Sequence, residues 1–277
     1  MIPYLEYYSS PGTRVNGGRM PEVAEQSGVK SARRTVELLE AFAVRDAWLS
    51  LSELHTITGI PRSSLHGLLR TLTEAGWLEA DAAATRYRLG MRALLCGTAY
   101  LDRDPAMRFA RETLEDLRER TGFTAHYARR DGGQIVYLET RESRNAKRSV
   151  SRVGRALPAY STALGKALLA ELTQDEIAAL YPERLISLTP NTLTSVAALR
   201  QECDTIRRRG FATEVEESTA GLRCVAAVVP YRIPGTDALS CAIPVDEVTD
   251  AEAVTLGEIL AETAANLGRR LRHAGIR

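Results

Sequence analysis

The sequence has no long apolar run. No stretch approaches the ~18 apolar residues that a membrane span needs, so no membrane partner is expected. Its start lacks a basic segment followed by an apolar one, so no signal peptide is visible. Cysteine is scarce: Cys96, Cys203, Cys224 and Cys241. None stands in a C-x-x-C pair, and no Cys/His cluster has zinc-finger spacing, so no metal site is expected. Free, mostly buried thiols in a reducing cytoplasm are the simplest reading; a disulfide between Cys224 and Cys241, on neighbouring strands, is the alternative. Net charge is almost absent, at +1. No overall basic field points to nucleic acid, so any such attraction must come from local clustering. His55, His66, His126 and His273 are scattered. No Ser-His-Asp arrangement or paired-carboxylate motif accompanies them, so neither an enzyme nor a cofactor is expected.

What is present is a chain of 277 residues, long enough for two domains with separate cores. Residues 1–28 are rich in Gly and Pro with little apolar periodicity, which reads as a disordered tail; Met20 could be the true start. A helical stripe then follows, with Val36, Leu39 and Ala43 widened by Leu38 and Phe42. Ser31 is its expected N-cap and Arg45-Asp46 its expected end.

Leu51 to Leu72 organises the first domain. Leu51, Leu54 and Ile57 lie at helical spacing, and Ser50 with Glu53 makes a capping box. Thr58-Gly59-Ile60 is a tight turn. Pro61 is a favoured first residue of the next helix. On a wheel of that helix Leu65, Leu68, Leu69 and Leu72 form one stripe. Ser63, His66, Gly67 and Arg70 lie opposite, with Arg62 and Ser64 at the open N-terminal end. Such a division is the helix-turn-helix pattern, whose second helix enters the major groove. An ordinary helical hairpin with a solvated outer face would look similar. The flank decides between them. Gly76 closes the helix, Trp77 to Ala80 and Arg86 to Leu89 read as a hairpin, and the whole is a winged helix. Arg86 and Arg88 share one face of the hairpin, within reach of phosphate or the minor groove; a solvated edge strand is the plain alternative. Met91 to Leu101 reads as a connecting helix of the kind that pairs with its own copy.

The second domain opens at Asp104-Pro105. A helix to Arg120 carries Phe109, Leu114 and Leu117. A hairpin follows, turning at Asp131-Gly132-Gly133. Arg141, Arg144, Lys147, Arg148, Arg152 and Arg155 form a basic stretch, read as a solvated loop and strand edge rather than a second nucleic-acid patch. Ser161 to Leu172 is helical. Thr173 and Glu176 cap another helix, and Val196 to Arg209 is a third. Three strands follow, Phe211–Glu217, Leu222–Val229 and Ala238–Val245. Thr249 and Glu252 then cap a long final helix. The fold class is therefore α+β, an antiparallel sheet covered by helices.

From about Val29 to Leu271 the sequence resembles the IclR family of regulators. The resemblance rests on Val29-Lys30-Ser31-Ala32, Leu51-Ser52-Glu53-Leu54, Thr58 to Ser64, and Tyr87-Arg88-Leu89-Gly90. Further on it rests on Ala163 to Ala170, Thr189-Pro190-Asn191-Thr192, Arg208 to Ala212, and Glu216-Glu217 through Gly221 to Ala226. It implies a winged helix-turn-helix over 29–90, a dimerising linker helix over 91–104, and a GAF-like effector-binding domain over 105–277. Family members act as dimers or dimers of dimers on operator DNA, repressing or activating a neighbouring operon.

Two departures stand out. Gly67 sits where relatives often carry a basic residue. In the pocket, the resemblance assigns Ala163, Leu164, Gly165, Glu214, Cys224, Ser240 and Ala242 to the effector. Leu164 fills space and Ala242 removes a donor, so the effector should differ from two- and three-carbon oxo acids. Glu214 would repel an anion unless protonated or bonded to a ligand hydroxyl, which favours a hydroxylated or amine-bearing effector. The free N–H groups opening the Ser161 helix are expected to take a carboxylate. Cys224 has a plainer reading as a small buried hydrophobe. The rival functions are an enzyme fused to a DNA-binding domain, and an interaction module that senses nothing.

Overall fold

The computed structural model describes residues 28–43, 47–144 and 153–277. The chain divides into two compact units, which meet in sequence between Arg103 and Asp104. The tail expected over 1–28, the first helix's end at Arg45-Asp46, and Lys147, Arg148 and Arg152 of the basic stretch lie outside the described residues, Gly28 excepted.

In the first unit α1 (Lys30–Ala43), α2 (Leu51–Thr58) and α3 (Arg62–Glu74) pack with a small sheet of β1 (Leu49–Ser50), β2 (Leu78–Ala80) and β3 (Arg86–Leu89), in the order β1-β3-β2. The core joins Leu38 and Phe42 of α1 to Leu54, Ile60, Leu65, Leu69, Leu72 and Leu78. The stripe of α1 thus differs from expectation. Leu38, Ala41 and Phe42 are buried, whereas Val36 and Ala43 are exposed. The helix is read correctly but rotated, because its apolar residues span more than one face. It also begins at Lys30, so Ser31 lies inside the first turn and is no cap. The capping box at Ser50 forms as expected. At the turn, Gly59 takes φ +68°, which favours glycine. The Ile60 carbonyl meets His55 Nδ1 at 2.8 Å, closing the loop.

The helix α4 (Met91–Arg103) leaves the wing at Gly90. A Cβ on Gly90 would lie 2.6 Å from the Gly76 carbonyl oxygen, so only glycine lets the chain cross there. None of the residues of α4 is buried.

The second unit is built on a six-stranded antiparallel sheet, ordered β6-β5-β4-β9-β8-β7. Its strands are β4 (Thr124–Asp131), β5 (Gln134–Arg141), β6 (Ala156–Pro158), β7 (Ala212–Val215), β8 (Leu222–Val228) and β9 (Asp237–Pro244). One face carries α5 (Ala106–Thr121) and α9 (Asp250–His273). There Arg111 pairs with Glu139 at 2.7 Å and Arg223 with Asp250 at 2.6 Å. Arg141 of the basic stretch is spent on Glu139 and Glu115. In α5 the buried stripe is Ala106, Met107, Ala110, Thr113, Leu114 and Leu117; Phe109 lies at its edge under the Arg270 guanidinium.

The opposite face carries α6 (Ala163–Leu169), with α7 (Gln174–Leu180) and α8 (Val196–Arg209) beyond it. The helix expected from Ser161 begins two residues later. Thr162 is its cap, accepting from the Gly165 N–H at 2.9 Å, while the Ser161 hydroxyl donates to the Pro158 carbonyl. The four cysteines are free, and Cys224 pairs in register with Ala242 while Cys241 pairs with Val225. The two thiols therefore point to opposite faces of the sheet, which removes the disulfide alternative.

Candidate DNA-binding and effector sites

The second helix of the helix-turn-helix, α3, is divided as its wheel requires. Leu65, Leu69 and Leu72 are buried; Arg62, Ser63, His66, Gly67 and Arg70 are exposed, with Ser64 half-buried. Pro61 precedes it with no side-chain cap, so its first-turn N–H groups are not consumed by one. Arg70 meets Glu74 at 4.0 Å, with both side chains exposed. Such pairs contribute about 0–1 kcal/mol, so Arg70 is easily redirected. Arg62 donates to Ser52, and Ser64 accepts from Arg34 of α1 at 3.0 Å. Arg34 is a neighbour of the recognition face that sequence spacing could not reveal. Nothing lies within 4 Å of a Cβ placed on Gly67. Its glycine costs about 1 kcal/mol of helix stability and answers no packing need inside the unit.

In the wing, Arg86 and Arg88 share the exposed face, with Tyr87 and Leu89 half-buried behind them. Arg88 binds Glu79 at 2.6 Å and lies over the Trp48 ring, and Arg86 donates to the Trp48 carbonyl at 3.1 Å. Asp81 shapes the turn by accepting from the Arg86 and Thr85 N–H groups, which hold its carboxyl below the ordinary range.

In the second unit the register builds a face. Glu214, Cys224, Ala242 and Thr124 stand side by side across β7, β8, β9 and β4. One step along, Ala226, Ser240, His126 and Thr140 form a parallel row across β8, β9, β4 and β5. These positions share the face under α6, because side chains alternate along a strand. The four sheet residues expected at the effector site are therefore brought together. Val225 and Cys241, on the other face, are fully buried, while Cys224 and Ala242 are only half-buried. Solvent thus reaches the middle of the sheet on the α6 side.

The polar groups there are strongly shaped by burial. Glu214 is 1% exposed, and loss of water pushes its carboxyl up to about 7. Its Oε2 accepts from the Glu217 N–H at 2.8 Å. Its Oε1 has no oxygen or nitrogen partner and is left with the Cys224 thiol, a weak donor. Burial raises the Cys224 thiol too, so Cys224 is no thiolate nucleophile. Lys166 of α6 is buried and meets Glu217 Oε1 at 2.5 Å. The Thr189 and Thr192 hydroxyls donate to the Glu216 and Glu217 carbonyls, each at 2.6 Å. The Thr-Pro-Asn-Thr motif is thus a clamp that sets Glu217, and through it Lys166 and Glu214. Burial also drives the His126 imidazolium down to about 4, so the ring is neutral near pH 7; its Nδ1 meets the Thr140 hydroxyl at 3.0 Å. His126, Lys166 and Glu217 are residues that sequence reasoning did not place at this face.

Ala163, Leu164 and Gly165 open α6, and all are buried. The expectation of free N–H groups fails for Gly165, whose N–H is taken by Thr162. Gly165 has a packing role instead. A Cβ there would lie 2.2 Å from the Ala159 carbonyl oxygen.

A helix-turn-helix with a wing, on one chain with a helix-covered antiparallel sheet, defines a DNA-binding regulator as the class. Comparison with known proteins makes it particular. Residues 31–82 match the IclR helix-turn-helix domain, and residues 98–269 match the bacterial transcriptional regulator IclR C-terminal domain. The chain belongs to the IclR family of DNA-binding transcriptional regulators, which pair the helix-turn-helix with a C-terminal effector domain. It is 33% identical over 245 residues to the HTH-type transcriptional regulator XynR of Escherichia coli (strain K12), covering 88% of this chain and 97% of that one. It is 28% identical over 268 residues to the transcriptional repressor IclR of the same organism, covering 94% and 97%. These relatives are named regulators, not enzymes. Among solved structures, the Thermotoga maritima IclR superposes with a TM-score of 0.64 at 28% identity, covering 87% of this chain and 98% of that one. An IclR homologue from Microbacterium hydrocarbonoxydans, complexed with 4-hydroxybenzoate, shares the fold with a TM-score of 0.70 at 23% identity, covering 88% and 99%. Among the described residues no helix is long and apolar enough to cross a membrane.

Proposed function

We propose that the protein is a metabolite-responsive regulator. A small organic or aromatic acid binds under α6, against Ala163, Leu164, Gly165, Glu214, Cys224, Ser240 and Ala242, and changes operator binding by the first unit. The observation that carries this reading is the solvent-reached centre of the sheet at Cys224 and Ala242, ringed by buried polar groups. The complex of the Microbacterium homologue with 4-hydroxybenzoate supports an aromatic acid on this fold.

On DNA, Ser63, His66 and Arg70 face base edges or nearby phosphates, with Arg62, Ser64 and the α3 N-terminus placed for phosphates. Arg86 and Arg88 reach phosphate or the minor groove once their ion pair and carbonyl bond are exchanged. The working form is a dimer or dimer of dimers on a pseudo-palindromic operator. The effector acts by population shift, binding one arrangement of the protein better than the other.

Arg70→Ala tests the DNA assignment by electrophoretic shift on the DNA upstream of its gene. The expected loss is about 5- to 150-fold, corresponding to ~1–3 kcal/mol for a two-bond contact to guanine. The melting-temperature response to a bound acid should stay unchanged. An unaltered operator affinity sinks the groove-facing assignment.

A further inference from the structure

A carboxylate oxygen and an imidazole nitrogen on the α6 face of the sheet lack a strong partner and stand at opposite ends of the solvent-reached patch; of the two, only the Glu214 oxygen is wholly shut off from solvent. Glu214 Oε1, on β7, has no oxygen or nitrogen donor. Among the described residues His126 Nε2, on β4, has no hydrogen-bond partner; the ring's bond is made through Nδ1, to the Thr140 hydroxyl. Both residues are more than nine-tenths buried. An unpartnered buried polar atom is costly in a folded protein, and a ligand that completes it gains that cost back.

The cation of this region is committed. Lys166 is held by Glu217, so it offers no unpaired positive charge to a ligand carboxylate. What the face can offer at its two ends is an acceptor and a neutral imidazole. The acceptor at Glu214 selects a hydroxyl or other donor. The imidazole takes a second polar group of either sense, set by which ring nitrogen carries the proton.

The register fixes the spacing. Glu214 and Thr124 lie three strand gaps apart in one row, and His126 is one two-residue step further along β4. With strands about 4.8 Å apart, the two Cα atoms are separated by about 16 Å. Side chains leaning inward bring their polar tips to about 10–14 Å, and two hydrogen bonds of about 2.8 Å leave about 5–8 Å for the ligand's own end-to-end span. A two- or three-carbon acid is too short. A chain of five or six carbons, or a ring with substituents opposite each other, fits.

We infer that the effector is a hydroxylated acid read at both ends, its hydroxyl on Glu214 and its far polar group on His126. This rests on the sensor reading above and makes His126 a specificity-determining residue.

The test is calorimetric titration of the full chain with four probes: lactate, 6-hydroxyhexanoate, 4-hydroxybenzoate and benzoate. The two long hydroxy acids should bind at least tenfold more tightly than lactate or benzoate. Glu214→Gln and His126→Phe should each weaken them about tenfold or more. If His126→Phe does not fold, Thr140→Val removes the ring's orienting partner and should give a smaller loss of the same ligands. Tighter binding of lactate, or unchanged affinity for the long acids in the variants, overturns the two-ended reading and leaves the sensor standing. No binding by any of the four, together with operator affinity indifferent to all, overturns the sensor reading with it.

Discussion

Glu214 is held in surroundings that oppose its own charge. Burial lifts its carboxyl from the ordinary 4.5 to about 7, with Glu217 nearby adding to the effect and Lys166 opposing it. Below about pH 4.5 the folded and unfolded chains both hold the proton, and no stability is lost. Between 4.5 and 7 the unfolded chain releases it while the folded chain keeps it, so stability falls as pH rises; above about 7 the loss is complete. The gap corresponds to roughly 3 kcal/mol. His126 acts in the opposite sense, since its lowered proton affinity costs stability as pH falls below 6.5. The informative measurement is therefore the difference between Glu214→Gln and the unaltered protein. The variant should melt higher at pH 8, and its advantage should shrink towards pH 5. An equal advantage at both values would show that Glu214 is not a buried acid. The sequence left open whether Glu214 is protonated, because the burial that decides it is created by residues far along the chain.

At the scale of elements, α6 shows what short-range pattern can and cannot reveal. Its packing depends on one missing methyl. A Cβ on Gly165 would meet backbone atoms of Ala159 at 2.2–2.5 Å, and backbone cannot step aside as a flexible side chain can. Gly165→Ala should therefore destabilise the second unit by about 1–3 kcal/mol, the usual cost of overpacking, despite alanine's better helix propensity. Thermal denaturation checks it; a melting temperature at or above that of the unaltered protein would mean that the turn at Ala159 relaxes. Sequence reading marked this stretch as a helix and as an effector site, but missed the cap by a residue and the glycine's role entirely. The reason is distance. Capping boxes at Ser50, Thr173 and Thr249 involve residues three apart and were readable. The wing, the recognition helix and the alternation of the strands were readable for the same reason. The meeting of His126 with Ser240 depends on the pairing of β4 with β9, across more than a hundred residues. The bulge in β5 is equally hidden. It inserts Leu138 between the partners of Tyr127 and Ala128, turning Tyr137 to the His126 face, where the rings meet edge to face at 5.2 Å.

For the whole molecule, most of the exposed large apolar side chains among the described residues of the first unit lie on α4. Met91, Leu94 and Leu95 are each more than half exposed, and Leu101 continues their row one heptad after Leu94. Spacing of three and four residues along a helix makes one stripe, the pattern of a helix that pairs with a second helix. The expectation that the linker helix joins two copies fits this surface. A dimer joined there would give the two recognition helices a reason to act together. Two half-sites engaged by one dimer gain about 10²–10⁴ in effective affinity over separate binding, without any new contact. Replacing Leu94 and Leu95 with glutamate sets charges into that stripe, where burial of each leucine would contribute about 1.5–3 kcal/mol. Sedimentation should then show a shift towards monomer, and operator affinity should fall by about 100-fold or more. The second unit, whose core shares no residue with the stripe, should keep its response to a bound acid. A double variant that stays dimeric with full operator affinity would move the dimer seam off α4. A variant that is monomeric yet binds operator normally would show instead that each recognition helix acts alone.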